Sequence, residues 1–190
     1  LVLVGGSLGD RFGRRSIFIL GIAIFTTASV ACGLAPSAAA LIAARAVQGI
    51  GAALLVPASL AIIGAVFQGE ARGKAIGTWA AYGAITGAAG PVLGGWLVDS
   101  LSWRAIFFLN VPLAIATVSL ALLAVPDSRD PDAPRSFDWL GVLLVAAGLG
   151  GLTYGVTLAQ QRGWQQASVL VPIAMGALAL VTNTQLLFVV

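Results

Sequence analysis

From Ser16 to Ala35 the chain runs through twenty residues without a charged side chain, and uncharged apolar stretches of similar length return at 75–98, 105–125, 139–159 and 167–190. A helix rises about 1.5 Å per residue, so roughly 20 such residues cross a hydrocarbon core of about 30 Å. Repetition of that length is the strongest constraint on the fold. With 59% hydrophobic residues, 9% charged residues and a mean hydropathy of +1.00, the chain has too little polar surface for a soluble domain. The pattern predicts an all-α polytopic membrane protein in contact with the lipid bilayer.

The segment 38–67 is longer, interrupted only by Arg45, Gln48 and Pro57, and is expected to tilt, kink at Pro57 or project beyond the lipid. Polar stretches at 10–15, 68–74, 99–104 and 126–138 are read as loops. Their charges set the expected orientation. Arg11, Arg14, Arg15, Arg72, Lys74, Arg129 and Arg135 fall on one side, whereas only Arg104 and Arg162 fall on the other. The positive-inside rule makes the first side cytoplasmic, in the plasma or inner membrane. Trp96, Trp103 and Trp164 then lie near the outer boundary and Trp139 near the inner one, as an aromatic belt does.

Three segments are expected: 1–125 as part of a helical bundle, 126–138 as a cytoplasmic linker, and 139–190 as two further spans. The chain opens at Leu1 inside an apolar run and closes inside another, which reads as a piece of a longer protein. Its net charge of +3 and pI near 9.8 lie beside membrane segments, so nucleic acid is not an expected partner. Without histidine and with the single cysteine Cys32, His/Cys metal sites and disulfides are excluded within these residues, and Cys32 is read as a small packing residue. No catalytic constellation or phosphate loop is present, so neither an enzyme nor a cofactor is expected.

Shifting the sequence by 89 residues aligns GGSLGDRFGRRSIFILG, from Gly5, with GGWLVDSLSWRAIFFLN, from Gly94. Asp10 meets Asp99 and Arg15 meets Arg104 in register, matches that a glycine and leucine bias does not supply. The two copies fall on opposite faces of the membrane. Such an inverted repeat is the arrangement from which many secondary transporters are built.

Four groups of residues stand out. Asp10, Arg11, Arg14 and Arg15 crowd a turn in which Gly13 permits positive φ; they mark topology, or form a conformational latch at helix ends. Arg45 is the one charge set well inside a span, at a cost of about 3 kcal/mol on insertion scales, and Gln48 shares its face. It either faces a cavity or snorkels to the interface. Gly83, Gly87, Gly90 and Gly94 recur at spacings of four, three and four beside Pro91 and Gly95, a stripe read as a helix-packing face. Asn110 and Pro112 predict a kink whose freed carbonyl is satisfied locally.

Those motifs carry a family resemblance. GGSLGDRFGRR resembles the loop between the second and third helices of the major facilitator superfamily, with Gly6, Leu8, Asp10, Arg11, Gly13, Arg14 and Arg15 at its positions. LIAARAVQGIGAA resembles the fourth-helix motif through Arg45, Gln48, Gly49 and Gly51, which the family links to proton transfer. GAITGAAGPVLGG is similar to the fifth-helix antiporter motif, through Gly90, Pro91, Gly94 and Gly95. WRAIFFLNVP and FDWLGVLLVAAGLGGLTYG resemble the drug:proton antiporters with fourteen helices. The resemblance implies an incomplete major-facilitator-type helix bundle with inverted three-helix repeats. It also implies a monomer that exports drugs or amphipathic metabolites in exchange for protons by alternating access. The expected alternatives are another carrier of that superfamily, for a metabolite or sugar, or a non-transporting membrane sensor or scaffold.

Overall fold

The computed structural model describes residues 8–9, 11–128 and 139–189, and among them every regular element is a helix. We number these α1 (Arg14–Gly33), α2 (Ala38–Val66), α3 (Gly69–Ser100), α4 (Ala105–Phe108), α5 (Asn110–Ala124), α6 (Trp139–Arg162) and α7 (Ala167–Val189). Leu8, Gly9, Arg11 and Phe12 are helical as well. The chain divides into two compact units, residues 2–134 and residues 135–190. Among the described residues, four stretches are long and apolar enough to cross a membrane: Arg14–Gly33, Ala38–Val66, Ala105–Ala124 and Leu140–Arg162.

Three expectations change. The stretch 68–74 is not a loop, because only Phe67 and Gln68 separate α2 from α3. Gly69 makes the turn at φ +54°, and the helix formers Glu70, Ala71, Arg72 and Lys74 then continue α3, with Glu70 favourably placed in its first turn. The span expected at 75–98 is helical, yet α3 carries eight glycines, which dilute its hydropathy below that of the other membrane-length helices. The span at 105–125 is divided at Leu109, whose φ of −57° and ψ of −29° keep the backbone helical in direction. Pro112 has no amide to offer the Phe108 carbonyl, which weakens the ladder at that point.

In the first unit α1 is central, touching α2 along its length and also α4 and α5. Its core positions Ile17, Ile22, Ala28, Ser29 and Cys32 are buried. The crossing with α2 is made at glycines. A Cβ on Gly51 would stand 2.5 Å from the Phe25 amide nitrogen and 2.9 Å from the Gly21 carbonyl oxygen, so the two backbones meet directly. Ser37 starts α2 by accepting the Ala40 amide at 3.2 Å.

Beside the break at Leu109, polar side chains join α1 to α4 and α5. Ser29, fully buried on α1, donates to the Phe107 carbonyl at 2.8 Å and accepts from Asn110 Nδ2 at 2.9 Å. A backbone acceptor one residue before the carbonyl that Pro112 leaves open is thus satisfied from the neighbouring helix. Apolar surroundings make such bonds costly to leave unmade.

The second unit is a hairpin of α6 and α7. Gly148, Gly151 and Gly155 form a stripe on α6, and Gly176 faces it from α7. A Cβ on Gly151 would lie 2.7 Å from the Pro172 carbonyl, and one on Gly176 would lie 2.6 Å from the Gly148 carbonyl. Small residues at this spacing let helix backbones approach where lipid offers no hydrophobic drive.

Candidate functional site

Two groups of polar side chains are assembled within the first unit. The first lies on α2, where Arg45 and Gln48 are separated by three residues and share a face. Arg45 Nη1 donates to Gln48 Oε1 at 2.8 Å. Gln48 is only 2% exposed, whereas Arg45 is exposed. From α1 the Cys32 thiol donates to the same Oε1 at 3.8 Å. One buried amide oxygen therefore joins the α2 arginine to α1. Cys32 packs, as its size suggests, and is also a polar neighbour of this pair. Beside it an apolar groove of about 450 Å³ opens along Ala23, Thr27 and Ala31 of α1 and Ala44 and Val47 of α2.

The second group surrounds the start of α1. Gly13 adopts φ +107°, a conformation that side chains with a Cβ disfavour, and its carbonyl accepts the Ile17 amide at 3.0 Å. Three hydrogen bonds then tie this corner to residues far along the chain. The Arg14 amide donates to the Ser128 carbonyl at 3.0 Å, Arg15 Nη1 to the Val125 carbonyl at 3.0 Å, and Ser16 Oγ to Asp127 Oδ2 at 3.0 Å. A Cβ on Gly13 would stand 2.6 Å from Asp127 Oδ1, so the glycine is required both by φ and by this approach. The Asp127 carboxylate lies at the N-terminal end of α1, where the helix dipole favours negative charge. Arg11 is exposed, with its guanidinium 5.4 Å from the Phe12 ring centroid. Asp10 lies outside the described residues.

Asp127 is the side chain of this corner that motif reading misses. Residues 126–128 read as the first part of a linker, and nothing in their composition marks one aspartate among several. The loop count nevertheless puts 10–15 and 126–138 on one side, so a contact between them is the signal available.

The glycine stripe on α3 is placed differently from its expected packing role. A Cβ on Gly83, Gly87, Gly90 or Gly95 would meet nothing within 4 Å, and Gly94 would only touch Ile106 Cδ1 at 4.0 Å. Among the described residues this face, with Pro91, is open. Close helix-to-helix glycine contacts occur instead at Gly21, Gly33 and Gly51 and in the α6–α7 hairpin.

Comparison with known families settles the ancestry of this arrangement. Residues 1–188 match the model of the Major Facilitator Superfamily. The chain belongs to the major facilitator superfamily. It is 40% identical over 171 residues to the multidrug resistance protein Stp of Mycobacterium tuberculosis, covering 90% of this chain and 32% of that protein. It is 37% identical over 178 residues to the tetracenomycin C resistance and export protein of Streptomyces glaucescens, covering 94% and 33%. With the cephamycin export protein CmcT of Amycolatopsis lactamdurans it shares 43% identity over 183 residues, covering 95% and 37%. The chain thus spans about a third of the length of the relatives it matches. It is a multi-pass membrane chain of this superfamily, and its helices are an incomplete bundle of that type.

Proposed function

We propose that this chain is the N-terminal part of a secondary active transporter that exports drugs or amphipathic metabolites in exchange for protons by alternating access. The relatives support the export of small molecules, since their names describe multidrug resistance and the export of tetracenomycin C and cephamycin. The observation that carries proton coupling is the Arg45–Gln48 pair, a cation on a membrane-length helix fixed to a buried amide. In this reading Arg45 lowers the proton affinity of a carboxylate supplied by another part of the transporter. A cation within about 4–6 Å lowers a carboxyl pKa by roughly 1–3 units. The protein acts as a monomer in the plasma or inner membrane.

The turn at Gly13 serves in this reading as a conformational latch on the cytoplasmic side. Arg14, Arg15 and Ser16 hold residues 125–128, and the sequence motif assigns Asp10 and Arg11 to the same latch. The open glycine face of α3, from Gly83 to Gly95 with Pro91, is the surface that seals against the rest of the transporter as it rocks. In this reading residues 1–125 are part of its first six-helix bundle, 126–138 a cytoplasmic linker, and 139–190 two linking helices.

The test is Arg45→Ala in the full-length protein. In inverted membrane vesicles, proton-driven uptake of a lipophilic cationic dye is expected to fall about tenfold or more, one pKa unit of misplaced protonation being a factor of ten. Uptake equal to that of the parent would return Arg45 to an interfacial role and remove the support for proton coupling.

A further inference from the structure

The 89-residue offset pairs Arg15 with Arg104, and the two side chains make equivalent contacts at opposite ends of one helix pair. Arg15, in the first turn of α1, donates to the carbonyl of Val125, the C-cap residue of α5, at 3.0 Å. Arg104, the residue before α4, donates through Nη1 to the Gly33 carbonyl at 3.4 Å and through Nη2 to the Ala35 carbonyl at 3.1 Å. Gly33 is the last residue of α1. The start of each helix is therefore bonded to the end of the other, which also fixes α1 and α4–α5 as antiparallel.

We infer that Arg15 and Arg104 are reciprocal helix caps, each entering with one helix and closing the C-terminus of its neighbour. The last turn of a helix leaves carbonyls without intrahelical partners and carries the negative end of the dipole. An arginine satisfies both needs at once, because its guanidinium is a permanent cation with several donors in one plane. At the Arg104 end the guanidinium is held 4.6 Å from the centroid of the Trp103 ring. The ring of Phe108 closes over Gly33, where an added Cβ would lie 2.8 Å from Phe108 Cζ. About one turn in from the Arg104 end, Ser29 binds the Phe107 carbonyl and Asn110. The pair is thus tied at both ends, with a second polar contact beside Arg104. An arginine serving only topology or lipid contact would extend its guanidinium to water or headgroups rather than to the carbonyls of a second helix.

This inference does not depend on transport, and its test needs none. Hydrogen–deuterium exchange is measured on the full-length protein in nanodiscs. Arg104→Gln is expected to speed exchange of residues 30–36 about tenfold, the factor that corresponds to losing roughly 1.4 kcal/mol of capping, while residues 14–20 stay as in the parent. Arg15→Gln is expected to speed exchange at 121–126 and to leave 30–36 unchanged. Arg104→Lys, which keeps a cation at the carbonyls, should recover most of the protection. Faster exchange confined to 102–107, no change at 30–36, or an even rise across the chain in Arg104→Gln would each overturn the reciprocal caps.

Discussion

Gly51→Val is expected to separate α1 from α2 and to disable the Arg45–Gln48 pair with it. The new Cβ would stand 2.5 Å from the Phe25 amide nitrogen, 2.9 Å from Phe25 Cα and 2.9 Å from the Gly21 carbonyl oxygen. All three atoms are backbone, so no side-chain rotation relieves the overlap. The helices must move apart, and dense packing gives them little room. Overpacking of this kind costs about 1–3 kcal/mol or more. In the full-length protein the thermal midpoint should fall by a few degrees. Gln48 lies one turn before Gly51 and receives Cys32 from α1, so the separation also withdraws that donor. Thermal unfolding of the full-length variant in detergent, with its dye transport measured in parallel, checks both consequences. A parental midpoint would show that α1 and α2 do not cross at this glycine.

Gly176→Val is expected to have an effect of similar size in the other unit. Its Cβ would lie 2.6 Å from the Gly148 carbonyl oxygen, 2.9 Å from the Leu152 amide nitrogen and 3.3 Å from the Gly151 carbonyl carbon. Here too the obstruction is backbone. Packing of this hairpin relies on close approach, because lipid competes equally well for its apolar side chains. Loss of the contact should lower the steady-state level of the full-length protein several-fold, as a destabilisation of 1–2 kcal/mol or more commonly does. Gly150→Ala is the control: its Cβ would meet nothing within 4 Å, and alanine gains about 1 kcal/mol of helix propensity. Equal abundance of the Gly176→Val and Gly150→Ala proteins would contradict the glycine-packed hairpin.

These two residues show what sequence reading reaches and where it stops. The all-helical class and the approximate length of most spans were legible because hydrophobic runs and bilayer thickness share one scale, whereas the early start of α3 at Gly69 and the break at Leu109 were not. Spacing also brought Arg45 and Gln48 to one face, whereas the bonds of the buried Ser29 to the Phe107 carbonyl and to Asn110, beside the Pro112 break, had no sequence signal. Spacing did not tell which glycine stripe is occupied. The four-three-four pattern of Gly83, Gly87, Gly90 and Gly94 is open, while the three-four pattern of Gly148, Gly151 and Gly155 meets a backbone. Periodicity defines a face of a helix and says nothing about what stands opposite.

The contacts around Gly13 were legible only in part. Positive φ was expected of Gly13 and is found at +107°. Its second constraint, the Asp127 carboxylate, arrives from more than a hundred residues away and has no local signature. The internal repeat proved more informative about pairing than either motif alone. It equates Arg15 with Arg104, and their bonds to Val125 and to Gly33 and Ala35 turn that equation into one geometry used twice.

Proton-coupled export is tested most directly with the purified full-length protein in proteoliposomes loaded at acid pH, with interior pH and drug content followed together. Adding a lipophilic cationic drug outside is predicted to cause protein-dependent drug accumulation and a matching rise in interior pH, as protons leave in exchange. Accumulation of the drug with the interior pH unchanged would contradict the exchange.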